Sequence, residues 1–261
     1  FITDIEKWRL RSENGSIALA YGQPKIHKKG TPFRMIVSFV GTPTYRLAQY
    51  LQRILLECLR EETQCTPQRK KTVITNSISL VRKLRTVNLP DDFAMISMDV
   101  VSLFTNVPLP LVIVGIRKRW EIIRKYTKIP QDEFIRAVAL CFKASAFQFN
   151  GVMYRQTFGA AMGSPLSPVV AEIVLHDLEN YCIERLDSPI FFYTRYVDDI
   201  LVFLPENKAQ SMVACFNSYH PKLQFTLETE IRNTINFLEV MLIREKGRVK
   251  FDWYRKPTST G

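Results

Sequence analysis

Arg195-Tyr196-Val197-Asp198-Asp199-Ile200-Leu201-Val202-Phe203 sets two adjacent carboxylates beside a strongly β-forming run, and a second such run, Ile190-Phe191-Phe192-Tyr193, precedes it. Aromatic and β-branched flanks predict the two arms of a buried hairpin, with Asp-Asp at or beside its tight turn. Desolvating a carboxylate is costly, so buried strands rarely keep paired charges without a partner. A divalent cation is the natural partner, because hard cations prefer carboxylate oxygens. A plain chain reversal using Asp as a turn residue explains the pair as well at this point. The rest of the chain decides between them.

With 261 residues, the chain is long enough for one large domain or two lobes. A hydrophobic content of 46% with 11% aromatics describes a globular protein, not a disordered one. The formal charge of +11 points to a polyanionic partner, most simply nucleic acid, or else to a merely soluble basic surface. No apolar run approaches the ~20 residues of a spanning helix, and the N-terminus lacks a signal-peptide pattern. Membrane attachment is therefore not expected. The five cysteines are scattered and accompanied by three histidines. That usage argues against a zinc site or a disulfide framework and for a reducing compartment. Serine and cysteine nucleophile signatures are missing, so the carboxylates are the main chemical asset.

Residues 1–16 are polar, end in Asn14-Gly15-Ser16, and read as the tail of an upstream region. Tyr21-Gly22-Gln23-Pro24-Lys25-Ile26-His27-Lys28-Lys29-Gly30 reads as a basic loop, and Phe33-Arg34-Met35-Ile36-Val37-Ser38 as a strand. Joined by Gly30-Thr31-Pro32, they suggest a hairpin presenting Lys and Arg on one side, fit for a triphosphate or simply solvated. Thr42-Pro43 has the form of a helix opening, with Leu47, Tyr50, Leu51, Ile54 and Leu55 on the apolar side. Asn76 is placed to cap a helix carrying Ile78, Val81 and Leu84.

Residues 93–104 read as a buried strand that emits one carboxylate, Asp99, at its end. Asn106-Val107-Pro108 ends it and opens a helix reaching about Tyr126. Asn150-Gly151 between alternating residues is a strong hairpin signal. Residues 158–168 form a small-residue loop before a long helix, where glycine allows close approach of backbone and ligand, or merely a reversal. Residues 236–243 and 249–254 predict a last hairpin about Lys246-Gly247. With no repeat and no flexible linker, the chain reads as one compact unit.

Asp99 and Asp198-Asp199 converge if their strands are neighbours in one sheet. Carboxylates from separate strands can then clamp two divalent metals ~4 Å apart, an arrangement that serves in-line phosphoryl transfer. With a basic hairpin for the triphosphate, the residues point to metal-dependent nucleotidyl transfer on nucleic acid.

The ordered motifs resemble those of reverse transcriptases, most closely Penelope-like retroelements, relatives of telomerase reverse transcriptase. Pro24-Lys25-Ile26-His27-Lys28 and Arg34-Met35-Ile36-Val37-Ser38 look like the fingers motifs. Asp99-Val100-Val101-Ser102-Leu103-Phe104 is similar to the first palm motif, and Ala161-Met162-Gly163-Ser164-Pro165 to the template- and nucleotide-contacting loop. Arg195-Tyr196-Val197-Asp198-Asp199 matches the catalytic turn. Phe237-Leu238-Glu239-Val240 and Tyr254-Arg255-Lys256-Pro257-Thr258 resemble the primer grip and the strand after it. Many reverse transcriptases have Gln where Met162 stands; Penelope-like members commonly use Met.

The resemblance implies an α+β fold: a right-hand polymerase palm, with an antiparallel sheet and helices on one face, plus fingers, the thumb being largely absent. Fingers would occupy residues 17–90 and 107–155, and palm residues 91–106 and 156–261, ending at the start of the thumb. It implies an RNA-directed DNA polymerase using dNTPs, an RNA template, a DNA primer and Mg²⁺, or Mn²⁺ in its place. Asp99 and Asp198 would hold metal, with the Val100 carbonyl facing it and Asp199 in support. Arg34 and Lys25 would bind the triphosphate. Phe104 would exclude a ribose 2′-hydroxyl, and Met162, Gly163 and Ser164 would line the nucleotide and templating site. His220 and Lys222 lie in the segment of the proton donor and read equally as surface. Further domains of the same polypeptide (a thumb, an endonuclease) and a nuclear location also belong to the resemblance. Two alternatives stand beside it: a template-binding module inactive without its thumb or partners, and an RNA polymerase, against which the bulk of Phe104 speaks.

Overall fold

The computed structural model describes residues 2–26, 30–65 and 72–255. They fall into two compact units, where the sequence reads as one. The first comprises Phe1–Cys65 and Ser102–Asp177, the second Thr66–Val101 and Leu178–Gly261. Each unit is assembled from separated segments, so no linker composition announces the division. In chain order the strands are β1 (Ala18–Pro24), β2 (Phe33–Ser38), β3 (Phe93–Val100), β4 (Ala146–Phe149), β5 (Val152–Arg155), β6 (Phe192–Tyr196), β7 (Asp199–Pro205), β8 (Phe225–Thr229), β9 (Thr234–Phe237), β10 (Val240–Glu245) and β11 (Arg248–Trp253).

In the first unit a four-stranded sheet runs β2-β1-β4-β5. The anticipated β1–β2 hairpin is present, with Gln23 opposite Arg34. Tyr21 to Pro24, expected in a loop, instead belong to β1. The β4 ladder covers only Ala18 and Leu19, so the later part of β1 tolerates Gly22 and Pro24 without losing a central pairing. Asn150 and Gly151 turn β4 into β5 at φ +48° and +77°, the type I′ geometry their sequence favours.

Helix Tyr45–Cys65 buries Ala48, Leu51, Ile54, Leu55, Cys58 and Leu59. It starts later than Thr42-Pro43 suggests, because the Thr42 hydroxyl donates to the Phe39 carbonyl (2.8 Å) and closes a turn first. The helix expected to reach Tyr126 stops at Lys118 and resumes as Trp120–Ile123. Arg119 occupies the break, buried, its guanidinium bonded to Glu62 (3.0 Å), Asp177 (2.8 Å) and the Gly115 carbonyl (3.1 Å).

The second unit is built on an antiparallel sheet in the order β6-β7-β3-β8. β3 and β7 lie in its middle and are buried on both faces, which explains their nearly unbroken apolar runs. Met95, Leu201 and Phe203 face a core shared with Leu80, Leu84, Ile235, Phe237, Val240, Leu242 and Val249. The last five come from a three-stranded sheet, β11-β10-β9. On the opposite face, Phe225 (paired with Val100) meets Phe216 of helix Ala209–Ser218 edge-on, 5.2 Å between ring centres.

Asn76 caps helix Ser77–Leu84 in a reciprocal box with Ser79. That helix buries Leu80 and Leu84 and leaves Ile78 exposed, so the apolar line runs four residues apart and misses Ile78. The single strand expected over residues 236–243 is two strands, turned at Leu238-Glu239 with Leu238 at φ +57°. Lys246-Gly247 makes the last turn as anticipated. The architecture is mixed α+β. Among the described residues no helix is long and apolar enough to cross a membrane.

Candidate active site

β3 and β7 pair in the register that sets Asp99 directly opposite Asp199. Like charges opposite each other across a ladder are destabilising unless offset, and a divalent cation is one group that can offset them. Tyr196 pairs with Asp199, which leaves Val197-Asp198 as a two-residue hairpin loop. Of the two loop residues only Val197 has positive φ, +55°, as a type II′ turn requires at its first position. Glycine suits that position; a β-branched residue there carries strain on the order of 1–3 kcal/mol. The Asp198 carbonyl accepts from the Val100 N–H at 3.3 Å, tying the turn to the end of β3. Asp99, Asp198 and Asp199 thus gather at one end of one sheet, each half-buried.

The turn is braced from within this unit. Arg195, 1% exposed, donates through Nε to Glu179 Oε1 at 2.6 Å and through Nη1 to the Val197 carbonyl at 2.9 Å. Tyr193 donates its hydroxyl to the same Glu179 oxygen at 2.6 Å. Burial and the neighbouring Glu179 carboxylate hold the Tyr193 phenol well above its usual range, so it stays a donor. The edge of β6 is covered by residues 72–74: Thr194 Oγ1 donates to the Thr72 carbonyl (2.9 Å) and Ile74 N–H to the Arg195 carbonyl (3.0 Å).

Among the described residues no three His, Cys, Asp or Glu side chains form a complete metal cage. The donors at the turn are hard oxygens only, which fits Mg²⁺, an ion commonly held by one or two carboxylates with substrate phosphates and water filling the rest. Asp199 also lines an open cleft of about 750 Å³ with Tyr196, Leu238, Glu239, Tyr254 and Arg255. The Leu238-Glu239 turn in that cleft is the one the sequence likens to a primer grip.

The remaining candidates belong to the first unit, apart from Val100. Arg34 is exposed on β2, and Lys25 is half-buried just after β1, its N–H bonded to the Pro32 carbonyl at 2.9 Å. The Met162 carbonyl accepts from the Val37 N–H at 3.0 Å. Gly163 follows at φ +112°, where a Cβ would stand 2.0 Å from the Val37 carbonyl oxygen; only glycine fits. Ser164 turns back to the Ala161 carbonyl at 3.1 Å. Phe104 is half-buried, and its carbonyl accepts from Ala160 at 2.7 Å. A Cβ on Gly159 would meet the Thr105 carbonyl at 2.2 Å. The loop is therefore bonded both to the Phe104 segment and to the strand that carries Arg34. In the second unit, the His220 ring accepts from the Lys222 backbone at 3.1 Å. His27 and Lys28 of the first fingers motif, and Lys256, Pro257 and Thr258 of the last motif, lie outside the described residues.

A family model described as reverse transcriptase (RNA-dependent DNA polymerase) matches residues 26–233. The chain belongs to the reverse transcriptase family. No curated protein matches it. Among solved structures, this chain resembles telomerase of Candida albicans at TM-score 0.68 and 10% identity, over 99% of this chain and 49% of that one. Apo telomerase of Candida tropicalis gives TM-score 0.67 at 10% identity, over 91% of this chain and 48% of that one. The RNA-dependent RNA polymerase of BmCPV gives TM-score 0.60 at 12% identity, over 94% and 23% respectively. At these identities the likeness is one of fold, a polymerase-like α+β architecture. The chain spans about half the length of the telomerase chains it matches.

The sequence by itself assigned no role to Arg195, Glu179 or Gly159. Arg195 stood inside the quoted motif, and its charge within a β-forming run was the available signal. Glu179 carries none, because it reaches the turn from the helix Leu166–Ile183. Gly159 had a faint one, as the first of two glycines in a short loop.

Proposed function

We propose that this chain is the catalytic core of an RNA-directed DNA polymerase of a Penelope-like retroelement. One observation carries the reading: in a reverse transcriptase, Asp99 stands opposite Asp199 with Asp198 in the strained turn beside them. Asp99 and Asp198 would hold divalent cations with the Val100 carbonyl, and Asp199 would add negative charge. Divalent cations held there would supply the Lewis acidity that favours an ionised primer 3′-hydroxyl and offsets charge on the leaving pyrophosphate. Arg34 and Lys25 donate to the triphosphate oxygens, which orients the α-phosphorus for in-line attack. Phe104 fills the space that a ribose 2′-hydroxyl needs, and Met162, Gly163 and Ser164 present backbone to the nucleotide and templating base. The Candida albicans telomerase structure holds a fragment of telomeric RNA, which supports RNA as the template class. Further domains on the same polypeptide and a nuclear site of action are part of this reading and rest on the resemblance alone.

Primer extension tests it. The purified chain is given an RNA template annealed to a DNA primer, with dNTPs and Mg²⁺, beside its Asp198→Asn variant. The expected outcome is extension by the wild type only, with equal binding of primer–template by both. Near-normal extension by Asp198→Asn would remove the metal role. Tight binding without any extension would favour a template-binding module that needs further domains or a partner to polymerise.

A further inference from the structure

Arg195 and the facing pair Asp99 and Asp199 lie on opposite faces of the sheet. Tyr196 pairs with Asp199, so the preceding residue, opposite Ile200, points the other way. There its guanidinium meets Glu179, itself 5% exposed, with Nε–Oε1 at 2.6 Å and Nη2–Oε2 at 3.3 Å. The third nitrogen, Nη1, reaches the Val197 carbonyl at 2.9 Å. A buried ion pair is poor evidence of added stability, since apolar residues of similar volume often serve as well. What apolar residues lack is a fork of donors in a fixed plane. Here one edge of that fork is anchored on Glu179 and the other holds the peptide of Val197, the residue at φ +55°.

We propose that Arg195, anchored by Glu179, is a positioning residue: it pins the Val197 carbonyl and so fixes the strained turn that presents Asp198 to divalent cations. The inference rests on the polymerase reading of the turn. Without the fork, the hairpin loop relaxes toward backbone angles more comfortable for valine, and Asp198 moves relative to Asp99. Lysine, with a single ammonium, cannot span Glu179 and the Val197 carbonyl in one plane.

Arg195→Lys and Val197→Gly, made singly and together, read this out by Mn²⁺ titration followed by electron paramagnetic resonance, by kcat and KM for extension, and by thermal melting. Arg195→Lys is expected to weaken Mn²⁺ binding and lower kcat by about 10–100-fold, the range for residues that orient metal ligands. KM for dNTP and primer–template binding should stay unchanged. Val197→Gly should restore much of the loss in the double variant, because glycine adopts positive φ without strain. Wild-type Mn²⁺ binding and kcat in Arg195→Lys would overturn the proposal. So would a defect that follows the melting temperature and is not relieved by glycine. Should Arg195→Lys fail to fold, Glu179→Gln, which keeps an acceptor but removes the anchoring charge, is expected to show the same weakened Mn²⁺ binding, and unchanged binding there would overturn the proposal. An inactive Asp198→Asn beside an unaffected Arg195→Lys sinks this inference alone, whereas an active Asp198→Asn sinks the reading beneath it.

Discussion

At the residue scale, the proposed chemistry would rest on side chains whose surroundings contradict their ordinary preferences. Asp99 and Asp199 face each other across a ladder, and Val197 sits where glycine belongs. Both features are unfavourable in isolation and become useful when a cation and a fixed turn are required. Phe104 is a different case, an aromatic side chain only half-buried on the short helix Leu103–Asn106. Half-burial leaves part of the ring accessible, as the proposed contact with the nucleotide requires. Phe104→Ala is therefore expected to admit ribonucleotides, raising single-ribonucleotide incorporation by at least about tenfold, the worth of ~1.4 kcal/mol of lost exclusion. Competition between dCTP and CTP on one templating base measures it. An unchanged ratio would return Phe104 to the core.

At the scale of elements, the hairpins are the most local structures and were the most legible. Asn150-Gly151 and Lys246-Gly247 turn where their composition says they should. Leu238-Glu239 was not legible, because neither residue is a turn former and both flanks are apolar. The turn is imposed by β9 and β10 pairing around a shared core, with Ile235, Phe237, Val240 and Leu242 buried together. Helix Ser77–Leu84 is short, so its cap matters more than in a long helix. Asn76 accepts the Ser79 N–H at 2.8 Å. Asn76→Ala is expected to lose about 1 kcal/mol, seen as a melting temperature lower by roughly 2–4 °C in a chain of this size. An unchanged melting curve would mean that Leu80 and Leu84 hold the helix without the cap.

For the whole molecule, the dominant quantity is the charge of +11. Many of the basic side chains are engaged locally, as Arg119 is with Glu62 and Asp177, and Arg195 with Glu179. Others, such as exposed Arg34, are open to phosphate. Binding of primer–template should therefore weaken steeply with salt. If about six phosphates are contacted, affinity falls roughly 10³-fold between about 50 and 200 mM salt. Fluorescence anisotropy across that range checks it, and a flat response would overturn the electrostatic reading.

The sequence by itself determined the class of fold, the hairpin around Asp198-Asp199, the strand that carries Asp99, and membership of the reverse transcriptase family at large. All of these are written in near-neighbour patterns: alternation, turn residues, and a motif order that survives without any knowledge of contacts. Only the tertiary structure decided that Asp99 meets Asp199 in register, that Arg195 and Glu179 brace the turn from the other face, and that Gly163 is required by the Val37 carbonyl. It also divided the chain into two units made of interleaved segments. The physical reason is the same in each case. A contact between residues far apart in the chain leaves no trace in either one's neighbours, because it is created by packing and not by local propensity.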